Sequence, residues 1–169
     1  MNIRLSERSL QTKFGTFTEI LYYDGQAEAI ALVMGEVADG ENVLCRIHSA
    51  CIGGHVFNSI ECECAPEMAS AQAAIQNAGR GVVIYLDQEG KGNGHLALME
   101  SIKFKEEFGQ AGAYVKAGYD ADARSFRPAA EILTALRIAS IILLTNNPEK
   151  AKDLQKESIL VSNIQTFNL

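Results

Sequence analysis

Apolar and polar residues take turns along the first forty positions, with a break at Gly25. Period two is the mark of strands with one buried face, and a glycine between two such runs marks a turn. "TKFGTFTEILYY" and "AEAIALVMGEV" therefore predict a β-hairpin. After the turn signal "DGEN", "NVLCRIHSAC" predicts another strand, and "VFNSIECEC" (56–64) a short one. "PEMASAQAAIQNAG" has Pro at its start and Gly just past its end, which frames a helix. "GVVIYLD" predicts a buried strand, "QEGKGNG" a glycine-rich loop, and "HLALMESIKFKEEFG" an amphipathic helix ending at Gly109. Residues 110–126 lack periodicity and are expected to form a loop beside a site. The remainder predicts a helix ("RPAAEILTALRIA"), a strand ("SIILLTNN"), a helix ("PEKAKDLQKES") and a final strand ("ILVSNIQ"). A β-rich first part followed by alternating strands and helices implies an α+β or mixed α/β fold, in one domain over residues 1–169.

Composition narrows the class. A chain of 169 residues, 47% of them hydrophobic, can bury a real core. The net charge of −6 disfavours nucleic acid and anionic membranes as partners, so any phosphate site must concentrate its cations locally. The start, "MNIRLSERSLQTKFG", has no apolar run of the signal-peptide kind, and the apolar run "IASIILL" is only strand-sized. The expected compartment is the cytoplasm, where clustered cysteines serve as metal ligands or reactive thiols more often than as disulfides.

Three of the four cysteines lie between positions 51 and 64. If 56–64 is a strand, Cys62 and Cys64 share a face. The Gly53–Gly54 turn can bring Cys51 beside them. Three soft ligands suit zinc, and a three-ligand site leaves a position for a water whose pKa the ion lowers. The alternatives are a closed structural site, with His48, His55 or Cys45 as fourth ligand, and three unligated thiols. Cys45, between apolar neighbours, is expected to be a core thiol.

Other stretches carry weaker signals. In "DQEGKGNGH" the glycines let backbone N–H groups approach an anion, and Glu89 matches the donors on the edge of guanine; a solvated loop carboxylate is the plainer reading. In "DADARSF", Asp122 suits a general base and Arg124 a phosphate clamp, or the two form a loop ion pair. "LLTNNPEK" ends a strand before a helix, where Thr145 and Lys150 can meet phosphate or ribose, or simply make a turn.

Taken together, "RIHSACIGG", "FNSIECEC", "GRGVVIYLDQEGKGNG", "GYDADARSF" and "LLTNNPEK" resemble GTP cyclohydrolase II, in that family's order and over nearly the whole chain. The resemblance implies opening of the imidazole ring of GTP, with loss of formate and pyrophosphate, at the start of riboflavin biosynthesis. It implies one Zn2+ per chain on Cys51, Cys62 and Cys64. It implies substrate contacts from Arg46, His48, Ser49, Glu89, Gly90, Lys91, Thr145 and Lys150. Asp122 matches the proton acceptor and Arg124 the nucleophile toward the α-phosphate. Mg2+ would accompany the nucleotide phosphates, and a homodimer is implied.

The chain departs from the family pattern at several points. Lys91 stands for an Arg, Glu61 for an Arg, Ala50 for a Glu, Ala65 for a Gly, Glu67 for a Gln and Ile102 for a Tyr. These changes remove cations and a phenol. Besides opening of GTP, they leave room for a zinc cyclohydrolase acting on a less phosphorylated or different nucleotide, nucleoside or base, and for a non-catalytic, zinc-stapled nucleotide-binding protein.

Overall fold

The computed structural model describes residues 1–167. Seven strands form one mixed sheet: β1 (Ile3–Thr12), β2 (Gly15–Tyr23), β3 (Glu28–Met34), β4 (Val43–Ser49), β5 (Gly81–Leu86), β6 (Ile141–Leu144) and β7 (Val161–Gln165). Their order across the sheet is β1-β2-β3-β5-β4-β6-β7. The β1–β2–β3–β5 half is antiparallel, and β5, β4, β6 and β7 run parallel. This is the expected mixed α/β class.

Among the described residues six α-helical segments join them, besides two short 3-10 turns at Glu89–Gly92 and Ile102–Phe104: the four-residue turn α1 (Ile52–His55), α2 (Cys64–Ala78), α3 (His95–Ser101), α4 (Lys105–Lys116), α5 (Arg127–Ala135) and α6 (Glu149–Lys156). Strand period two sorts the side chains onto two buried faces. Cys45, Ile47 and Ile84 face α5 and α6, where Ile132, Leu133 and Leu154 meet them. Phe17 and Val83 face the other way and pack on Ile75 of α2. The chain leaves β4 over the α2 face to reach β5, and leaves β5 over the α5 face to reach β6 on the far side of β4. The connections diverge there, and the carboxyl ends of β4, β5 and β6 border a crevice of the kind where α/β sheets bind ligands.

The hairpin around Gly25 forms as expected, with the Asp24 carboxylate accepting from the Gln26 and Ala27 N–H groups at 2.8 Å. Three expectations fail. The alternation starting at Thr12 hides a turn at Lys13–Phe14, and residues 3–12 form an extra strand against β2. Residues 56–64 form no strand. They loop around, and α2 begins at Cys64 rather than Pro66, since a first-turn proline gives up an N–H that has no intrahelical partner. The helix expected to stop at Gly109 does lose helical geometry there (φ 65°, ψ 177°), after a short 3-10 turn at Ile102–Phe104, but a second helical stretch follows this kink to Lys116, the end of α4. The expected loop 110–126 thus begins as helix, because Tyr114 is buried there and anchors it.

Ile75 is fully buried between α2 and the sheet. Ile75→Ala is expected to cost about 2–5 kcal/mol of stability, read from the urea midpoint. A loss below about 1 kcal/mol would mean that α2 is not seated as described.

Candidate active site

β4 sends Arg46 and His48 toward the α2 side, one period-two step apart, with Ser49 at its end. Arg46 is 3% exposed, yet charged. Its guanidinium donates to Glu67 Oε2 on α2 at 2.5 Å, to the Leu144 carbonyl at the end of β6 at 3.1 Å, and to His48 Nδ1 at 3.3–3.4 Å. The Phe167 ring lies 5.1 Å from it. A guanidinium only donates, so His48 Nδ1 accepts, and Nε2 carries the proton toward His55 Nε2 at 2.8 Å. Burial, then the charges of Arg46, His55 and Lys150, push the His48 pKa down to about 3 and keep it neutral.

Cys51 caps α1, and its sulfur accepts from the Gly54 N–H at 3.4 Å. The sulfurs of Cys51, Cys62 and Cys64 lie within 4.8 Å of one another, with Cys51 and Cys62 at 3.5 Å. A tetrahedral zinc with Zn–S of about 2.3 Å spaces its sulfurs by about 3.8 Å. A side chain at position 54 would meet Cys62 Sγ at 3.0 Å, so glycine lets the turn wrap the thiols. Burial pushes the Cys51 and Cys64 thiols up, and their sulfur neighbours add to this for Cys64. Three sulfurs held this close cannot all ionise without a cation among them, so the donor set fits a soft metal ion. The sulfurs thus converge as expected, but from a helix cap, a loop and a helix start rather than from one strand face. Cys45 is a core thiol, raised to about 12 by burial. His55 is turned to His48. Among the described residues, the thiols are the one cluster placed for a metal.

A cavity of about 370 Å³ opens beside the sulfurs. Cys51, Cys62 and Glu61 line one side, and Leu98, Ile102 and Tyr114 the other. Tyr114, missed in the sequence because 110–126 shows no periodicity, puts a buried phenol in that wall. Burial raises its pKa. A lone aromatic among Ala and Gly in "GQAGAYVKAG" was the available signal.

Glu89 is buried, and one carboxylate oxygen accepts from the Ile52 N–H at 2.8 Å, directly after Cys51. The other lies 3.5 Å from His95 Nδ1. Gly90 and Lys91 follow with φ of 60° and 55°. The Lys91 carbonyl accepts from the Ala123 N–H at 2.9 Å, and Lys91 Nζ sits 5.8 Å from the centre of the Tyr114 ring. Any Cβ on Gly92 would strike the Ala123 backbone at 2.8 Å, so glycine allows this contact. The glycine loop is thereby stitched to the loop of Asp122 and Arg124. Arg124 donates to both Asp122 oxygens, Nε at 2.8 Å and Nη2 at 2.5 Å. Burial works to raise the Asp122 pKa, but the Arg124 hydrogen bonds and charge outweigh it and hold the carboxyl low.

Lys150, at the start of α6, is 6% exposed and donates to the Ile47 carbonyl at 3.3 Å. Burial, then Arg46 and Arg124, push its pKa down to about 8. Arg124 and Lys150 both approach the Phe126 ring, at 5.7 and 5.6 Å. Thr145 is buried, and its hydroxyl closes the turn before α6 by accepting from the Asn147 N–H at 3.0 Å. Ser49 Oγ is buried and has no hydrogen-bond partner among the described residues.

A family model described as GTP cyclohydrolase II matches residues 3–165. "Riboflavin biosynthesis protein RibBA" of Bacillus cereus ATCC 14579 is 44% identical over 155 residues, covering 90% of this chain and 39% of that protein. The protein of the same name from Bacillus mycoides KBAB4 is 43% identical over 152 residues, 88% of this chain and 38% of that one. The chain spans about two fifths of the length of these relatives. A crystal structure of RibBX, "a two domain 3,4-dihydroxy-2-butanone 4-phosphate synthase from A. baumannii", aligns at a TM-score of 0.54 and 18% identity over 97% of this chain and 40% of that one, a likeness of fold. No described helix is long and apolar enough to cross a membrane. Since the family model takes in all but the ends of the chain, this protein belongs to the GTP cyclohydrolase II family.

Proposed function

We propose that this protein opens the imidazole ring of a guanine nucleotide by zinc-dependent hydrolysis and releases formate. GTP is the nominal substrate, and pyrophosphate is a second product wherever a triphosphate is the nucleotide opened. The observation that carries this reading is the open side of the thiol cluster, where Cys51 and Cys62 line a cavity of about 370 Å³. A closed, structural site would have no reason to face a cavity of that size.

Cys51, Cys62 and Cys64 would hold the zinc, which when bound supplies a water acidic enough to act near neutral pH. The chain's own groups do the rest. Leu98 and Ile102 give the cavity an apolar wall against the base. The Lys91 ammonium, 5.8 Å from the centre of the Tyr114 ring in the cavity wall, offers a polar contact beside it. Glu89 keeps one oxygen on Ile52 and so holds the Cys51 turn, while the other, 3.5 Å from His95 Nδ1, would turn from that neighbour to a donor on the substrate. Arg124 is aligned by its two bonds to Asp122, and Asp122, held ionised, is the proton acceptor. Ring opening consumes one water and release of the formyl carbon a second. Mg2+ would arrive with the phosphates. A homodimer in the cytoplasm belongs to the same reading, and the exposed Phe57 and Ile60 near the cavity suit a second copy.

Zinc-loaded protein incubated with guanine nucleotides is expected to give formate and a diaminopyrimidine product by mass spectrometry, with zinc near one per chain. Bound zinc with every guanine nucleotide left intact would overturn the proposal. Asp122→Asn and Arg124→Ala are each expected to keep the zinc and lose at least about 100-fold in kcat. Full activity in either variant would remove its assigned role. Lys150 holds an anion only as the ammonium. Its pKa of about 8 in the free protein puts the charge in place below that pH and removes it above. Accordingly kcat/KM is expected to fall as pH rises through about 8, and Lys150→Arg to flatten that limb.

A further inference from the structure

Four cations gather at the ends of β4, β5 and β6: Arg46, Lys91, Arg124 and Lys150. Two of them already have carboxylates. Glu67 Oε2 sits 2.5 Å from Arg46 Nη2, and the Asp122 oxygens sit 2.5 and 2.8 Å from Arg124. Among the described residues, Lys91 and Lys150 are the two of these four that no carboxylate contacts as an ion pair. A nucleoside monophosphate carries about two negative charges at neutral pH and a triphosphate about four.

The Arg46–Glu67 pair is no loose surface contact. The Arg46 side chain is 4% exposed and that of Glu67 20%. Leu144, His48 and Phe167 take the remaining faces of the guanidinium. Separating such a pair leaves a buried charge without compensation, so a phosphate cannot cheaply replace the carboxylate. A longer phosphate chain has to lie against Glu67 as a like charge. Glu67 also acts on the second cation, because its charge opposes the downward pull on the Lys150 pKa.

We infer that Glu67 occupies the place of a phosphate on Arg46 and sets the length of phosphate chain this site accepts, so that the protein takes a guanine nucleoside monophosphate in preference to the triphosphate. The identity of the base rests on the reading above. The charge count does not.

The test is calorimetric titration of the zinc-loaded full chain in Mg2+-free buffer. One ladder is phosphate, pyrophosphate and tripolyphosphate, and the other is GMP, GDP and GTP. The wild type is expected to bind GMP at least as tightly as GTP, and phosphate at least as tightly as tripolyphosphate. Glu67→Gln is expected to shift both ladders toward the longer chain by about tenfold or more, while GMP affinity changes little. Glu67→Asp, which keeps the charge, is expected to keep the wild-type order. A wild type that prefers GTP to GMP by tenfold or more overturns the inference, and needs no variant. So does Glu67→Gln changing every rung alike. If the inorganic ladder keeps its expected order while no guanine nucleotide binds, the guanine reading fails and the role of Glu67 stands. Binding of neither ladder overturns both.

Discussion

A guanidinium gives up its water only where other groups replace it, and Arg46, on the central strand, has given up nearly all of it. The replacements come from far apart in the chain: Glu67 from α2, the Leu144 carbonyl from β6, His48 from the same strand face. Each of these elements is held at one relative position by the need to reach the same cation. The α2 contact matters most for chemistry, because α2 begins at Cys64. The pair that neutralises Arg46 therefore also fixes where the third thiol stands.

The thiols and the buried Arg46–Glu67 pair are thus two ends of one arrangement. Cys51 follows β4 directly, and Cys64 lies one helical turn before Glu67. From the other side, the carboxylate of Glu89 reaches the Ile52 N–H and ties the turn of Cys51 to the glycine loop. That loop is in turn bonded to Ala123 between Asp122 and Arg124. Two further bonds, from Gln88 to the Ser125 carbonyl and from Asn93 to the Asp120 carbonyl, join the same two loops. Local conformations that L residues rarely adopt, such as φ 55° at Lys91, persist because neighbours on both sides define them. Two of the four cations in this crevice, Arg46 and Arg124, are matched by carboxylates, which lowers the cost of gathering them in one region.

Much of this was legible in the chain. Period two marked β2, β3 and β4, and Pro and Gly framed α2, because such signals depend on neighbours a few residues apart. The three cysteines, Asp122 and Arg124 could be named as a set, since few roles call for those residue types in that order. The path of residues 56–64 could not be read. Alternation there suggested a strand, but "IECEC" has no neighbouring strand to pair with, and a helix start satisfies the backbone of Cys64 instead. Tyr114 was equally hidden: its neighbours are Ala and Val, and only the packing of α4 against the glycine loop gives the ring a burial site.

By itself the sequence determined the class of fold, the set of clustered thiols and the family pattern, since these rest on local periodicity and on the chemistry each side chain carries wherever it lies. The tertiary structure alone decided which charges meet. That Glu67 neutralises Arg46, that Glu89 holds the Cys51 turn, and that Lys150 is buried against the Ile47 carbonyl depend on separations of 21, 37 and 103 residues. An interaction energy between charges is set by distance and burial, and no spacing along a chain reports either one.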